Sequence, residues 1–127
     1  MILVSGKFMS NQKDIKFNEI EKKYKDNQFA INFLKATWIF SRGSHYAKQG
    51  QTIKAIKDFE EAIRIKDDYL PAYYSLCLAF VETGEDKKAV KIFNKCPDVM
   101  KSGSGKIMAK KEDFWNKYKT EFPPARE

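Results

Sequence analysis

A single histidine, His45, and two cysteines, Cys77 and Cys96, are the chain's whole stock of imidazole and thiol. Zinc sites gather three or four such ligands at close spacing, and no such spacing exists here. A lone histidine two residues from Gly43, inside a helical pattern, reads as a surface or packing residue rather than a base. No other constellation fills the gap. Glu60-Glu61 and Asp67-Asp68 suit helix faces and ends. Gly103-Ser104-Gly105-Lys106 lacks the spaced glycines, and the hydroxyl after the lysine, that a phosphate loop needs. The expectation is therefore no catalytic residue, no metal and no cofactor.

Long apolar runs are equally scarce. The longest, Leu76 to Val81, falls far short of the ~20 residues that cross a bilayer. Met1 to Val4 is too short an apolar start for the core of a secretion signal. A cytoplasmic protein without a membrane span is expected, with Met9 as an alternative start and residues 1–8 as an extension. Both cysteines, on apolar helix faces, are then expected to be buried and reduced. Charge of one sign is not concentrated either. The net charge is +7, yet residues 1–28 carry 6 basic and 4 acidic groups, residues 29–100 carry 11 and 9, and residues 101–127 carry 7 and 4. Lysines interleaved with carboxylates mark solvated helical faces more than a nucleic-acid footprint. An aromatic content of 14% excludes a disordered chain. Its length of 127 residues suits one domain, able to bury about two thirds of its unfolded surface.

What the chain does have is self-similarity. Shifted by 34 residues, Ile39 meets Tyr73, Gly43 meets Cys77 and Tyr46 meets Phe80. Gly50 then meets Gly84, Ala55 meets Ala89, Phe59 meets Phe93, and Ala62 meets Cys96. Small residues match small, and aromatics match aromatics, while the polar residues between them drift. Packing leaves that kind of trace. Each unit reads as two helices about a glycine turn. Ile39, Gly43 and Tyr46 lie at helical spacing, Gly50 permits the reversal, and Ala55, Phe59, Ala62 and Ile63 form the second stripe. Pro71 fits the first turn of the next helix.

This pattern resembles the tetratricopeptide repeat, a helix–turn–helix of 34 residues, in two copies at about 36–69 and 70–97. The Ala-x3-Phe element is intact in both. Departures are Arg42 and Cys77, where the family prefers aliphatic and small residues, Asp67 in place of the closing Pro, and an early Pro97 that shortens the last repeat helix by about a turn. The resemblance implies an all-α array of about six helices, with a single helical domain over 13–127 and a flexible segment at 1–12.

The flanks are expected to cover the ends, since two repeats leave hydrophobic faces open. Ile15, Phe17, Ile20 and Tyr24 mark a helix over 13–25, Asp26-Asn27 a break and N-cap, and Gln28 to Lys48 one long helix. Ser102 to Gly105 reads as a flexible loop, resembling an engineered linker in composition. A capping helix over about 106–120 follows, with Ile107, Phe114, Trp115 and Tyr118 on its apolar face, ended by Phe122-Pro123-Pro124.

The resemblance implies an interaction module rather than an enzyme. Its groove positions transfer to Phe40, Ser44 and Ala47 of the first repeat and to Tyr74, Leu78 and Val81 of the second. Members that clamp acidic chaperone tails need Lys where Phe40 stands and Asn where Ser44 and Ser75 stand, so that ligand is not supported. The strip is apolar instead, and suits a peptide or helix of another protein, a second copy, or the chain's own C-terminal segment. Tyr74 is the expected anchor, and adaptor or chaperone-like roles follow. The alternative is a basic nucleic-acid-binding accessory protein. There Trp115 or Tyr118 would stack on a base while Lys110, Lys111 and Lys119 meet phosphates.

Overall fold

Asn27 starts the first repeat: its side chain accepts the Ala30 N–H at 3.0 Å, and a 21-residue helix follows. The structure, a computed structural model, describes residues 5–118, with side chains from 12 to 117. In chain order these form α1 (Ser5–Lys23), α2 (Gln28–Lys48), α3 (Thr52–Ile65), α4 (Leu70–Glu82), α5 (Asp86–Lys95), β1 (Val99–Lys101), β2 (Ile107–Lys110) and α6 (Lys111–Tyr118). α2 matches the long helix expected from the sequence. α1 starts at Ser5, well upstream of the apolar pattern that marked it.

The 34-residue shift is carried by the backbone itself. Gly50 and Gly84 have φ of 78° and 79°, left-handed values that a side chain would strain. At the first turn Gly50 N–H donates to Ala47 O at 3.0 Å and Gln51 N–H to Tyr46 O at 2.9 Å. At the second, Gly84 N–H donates to Val81 O at 3.0 Å and Glu85 N–H to Phe80 O at 2.7 Å. These are the paired bonds that close a helix on a C-terminal glycine. Ala55 and Ala89 are the equivalent buried contacts of α3 and α5. α5 has 10 residues against 14 in α3, one turn fewer, because Pro97 cannot continue it.

Gly43 lets α2 and α3 touch. A Cβ there would lie 2.9 Å from the Asp58 Cβ and 2.9 Å from a Phe59 ring carbon. One residue back, Arg42 makes a two-pronged pair with buried Asp58: Nε to Oδ2 at 2.8 Å and an Nη to Oδ1 at 2.9 Å. Its guanidinium also lies 5.3 Å from the Trp38 ring. The pair raises the Arg42 pKa, chiefly through the hydrogen bond to Asp58. The 34-residue equivalents of Arg42 and Asp58 are Leu76 and Ile92. The first repeat thus carries a charged pair where the second carries two aliphatic residues.

Three expectations about the C-terminal flank need correction. Ser102 to Gly105 is a hairpin turn rather than a flexible loop: Ser102 N–H donates to Lys106 O at 2.8 Å, Gly105 N–H to Ser102 O at 3.0 Å, and Gly105 has φ of 83°. That is a turn closed by a left-handed glycine, a common hairpin solution. Residues 107–110 form a strand antiparallel to 99–101, so the last helix begins at Lys111 and not near 106. Ile107, expected on the helix's apolar face, is exposed. Tertiary contacts override local helical spacing here. Met100 is buried in the core with Ala36, Ile39, Leu70 and Tyr73, and Lys101 N–H donates to the Asp68 carboxylate at 3.1 Å. Gly103 sits against the Phe29 Cβ at the start of α2, so the hairpin ties the last repeat back to the first. The expected Phe122-Pro123-Pro124 terminator lies outside the described residues.

Lys111 fixes the junction. Its ammonium donates to Phe93 O at 2.8 Å and Cys96 O at 3.0 Å, and lies 4.5 Å from the Phe93 ring. It donates to carbonyls at the C-terminal end of the shortened α5, where a cation suits the helix.

Cys77 and Cys96 are both buried and free. Burial pushes the Cys77 thiol up from 9.0 to about 12 and Cys96 to about 11, and lifts the Tyr73 hydroxyl from 10.0 to about 12. These groups hold their protons longer folded than unfolded. Their contribution to stability is therefore complete below pH 9 and is lost as pH climbs toward 11 to 12. Denaturant midpoints should stay level below pH 9 and fall above it. Native-state labelling by a thiol reagent at pH 8 should be slow for both cysteines.

Candidate partner-binding groove

α2 and α4 are the first helices of their repeats, so their inward faces lie side by side. The six groove positions separate into three environments. Phe40 turns partly into the core, with its ring 5.6 Å from Phe59 and 5.7 Å from Tyr69. Ser44, Leu78 and Val81 are half-buried, and Ala47 is exposed. Leu78 and Val81 pack their inner edges on the cluster containing Leu76, Cys77 and Phe80. Tyr74 is different. Only 6% of it reaches solvent, with Phe114 at 5.7 Å and Trp115 at 5.2 Å, both edge-on.

α6 therefore covers the Tyr74 end of the strip. Trp115, 8% exposed, lies between Tyr74 and Phe93, the latter 4.6 Å away. This corrects the expectation that Tyr74 is an anchor open to a partner. Aromatic truncation in a buried cluster costs about 3–5 kcal/mol. Tyr74→Ala should lower the melting temperature strongly. Leu78→Ala, at a half-buried position, should lower it by a few degrees only. Thermal melts of the two variants followed by circular dichroism check the difference.

The nucleic-acid alternative loses its best side chains in the same geometry. Trp115 is buried, and Lys111 is engaged with the α5 carbonyls. Lys110 is exposed, while the Tyr118 side chain and Lys119 lie outside the described residues. His45 is on the surface. Among the described residues no group of three His, Cys, Asp or Glu side chains is placed to hold a metal, and no helix is long and apolar enough to cross a membrane.

Two helix pairs, related by a fixed shift and closed by matching glycine turns, define a helical-repeat protein. Residues 39–69 match the family model of the tetratricopeptide repeat, and the chain carries that repeat. Repeats of this family are protein–protein interaction modules in general, and are non-enzymatic as a rule. The second unit, outside the matched residues, follows from the shared turn geometry. No curated protein and no solved structure matches the chain.

Proposed function

We propose that this chain is an adaptor or chaperone-like module of the cytoplasm that takes a peptide or helix of another protein, or of a second copy, into the open part of the strip of Phe40, Ser44, Ala47, Tyr74, Leu78 and Val81, beyond the Tyr74 end that α6 covers. The observation that carries the reading is α6 itself. Phe114 and Trp115 of an amphipathic helix already rest on Tyr74, so the strip's chemistry suits the aromatic and aliphatic face of such a helix. A partner would continue along the strip toward Leu78, Val81 and Ala47, where apolar groups are only half-covered. Main-chain and apolar contacts would dominate, because all six strip positions are uncharged.

Pull-down from native lysate, read by mass spectrometry, tests this with wild type beside Leu78→Ala. A discrete protein partner should be recovered by wild type and depleted in the variant at equal helical content. Equal recovery by both would exclude the strip.

A further inference from the structure

The outer face of the repeats carries a second groove, independent of the concave strip. It runs between the second helices of the two repeats, α3 and α5, with a volume of about 690 Å³. Ile53, Ile56, Phe80 and Ile92 line its apolar part, and Ile53, 65% exposed, leaves that apolar surface open to solvent. α5 supplies the wall, and that wall is basic. Lys88 is already paired with Glu85 at 2.7 Å. Lys91 and Lys95, four residues apart on one face, form no ion pair among the described residues. The α3 side contributes Glu60.

We propose that this groove docks an acidic amphipathic helix of a partner protein. An apolar ridge on that helix would cover Ile53, Ile56 and Ile92, and its carboxylates would meet Lys91 and Lys95. Charge complementarity selects this occupant, since two unpaired lysines beside an apolar floor favour acidic groups at the edge of an apolar stripe. The length also fits. α5 has 10 residues, so a partner helix of about three turns would span it. A nucleic-acid strand fits worse, because the one aromatic in the lining, Phe80, is buried beneath Lys88 where stacking needs an exposed aromatic face, and Glu60 and Glu85 would face phosphates.

A displayed library of helical peptides, selected on the native chain and sequenced, tests the assignment. Wild type should enrich sequences with an apolar stripe flanked by Asp or Glu. Lys91→Glu/Lys95→Glu should weaken those peptides about 10-fold or more and enrich Lys- or Arg-flanked stripes in their place. Ile53→Asp should also abolish the enrichment, whereas Leu78→Ala, in the other groove, should leave it unchanged. These positions are on the surface, and circular dichroism of each variant verifies the fold. Three results would overturn the proposal: no enrichment of acidic stripes, enrichment indifferent to the Lys91/Lys95 reversal, or tighter binding of a single-stranded oligonucleotide than of the selected peptides at the same site.

Discussion

Arg42→Leu is expected to destabilise the folded chain by about 3 kcal/mol, and adding Asp58→Ile is expected to restore it to wild type or better. The asymmetry of the pair sets these signs. The Asp58 side chain is 8% exposed and the Arg42 side chain 30%. Removing the arginine strands a carboxylate that cannot reach water, and stranding one member of a buried pair costs about 3–5 kcal/mol. The partial exposure of Arg42 argues for the low end. Asp58→Ala should cost less, because Arg42 can swing toward solvent and still lie over Trp38. The double replacement copies the second repeat, where Leu76 and Ile92 occupy the equivalent positions and Leu76 is fully buried. Buried pairs exchanged for well-packed apolar residues are often neutral, or more stable by about 1–4 kcal/mol. Urea denaturation of the four proteins gives the ordering. If the double variant is as unstable as Arg42→Leu, the two repeats do not share one packing scheme at this position.

The second large effect is at Gly43. Any side chain there meets Asp58 and Phe59 at 2.9 Å, and Phe59 is buried with Phe40 against it. Gly43→Leu should cost about 3 kcal/mol, the upper range for forcing bulk into a packed interior. Gly43→Ala should cost less, since Ala regains about 1 kcal/mol of helix propensity over Gly. Melting temperatures should fall in the order wild type, Ala, Leu. If the Leu variant melts with wild type, the close approach of α2 and α3 is not as described. Cys77 shows why the rule is local. At the equivalent site of the second repeat a thiol fits, with its Sγ 3.3 Å from Ala89 O.

The repeats were legible because packing at a fixed shift writes itself into residue size. Gly50 and Gly84, Ala55 and Ala89, and the shortening of α5 by Pro97 could all be read from the chain. Arg42 was visible as a departure, but its partner lay 16 residues away on another helix. The clue was available, since the 34-residue shift converts both members to aliphatic residues together. The hairpin was not legible. Ile107, Phe114, Trp115 and Tyr118 fit helical spacing, and a Ser-Gly run has the same composition in a linker and in a turn. Met100 in the core and Asp68 under the Lys101 amide decide it, and both are long-range contacts. Tyr74 failed for a related reason. Spacing marks an apolar face but does not name what covers it, and α6 does so at that end.

The central claim is that α2 and α4 present a strip for a protein partner beyond the part α6 covers. A photoreactive phenylalanine analogue in place of Val81 tests it most directly, with the same analogue at exposed Lys57 on α3 as control. Irradiation of the intact chain in native lysate should join Val81 to a discrete protein, or to a second copy, and Leu78→Ala should suppress that product while Lys57 gives none of it. Identical products from both positions, or no intermolecular product from Val81, would contradict the claim.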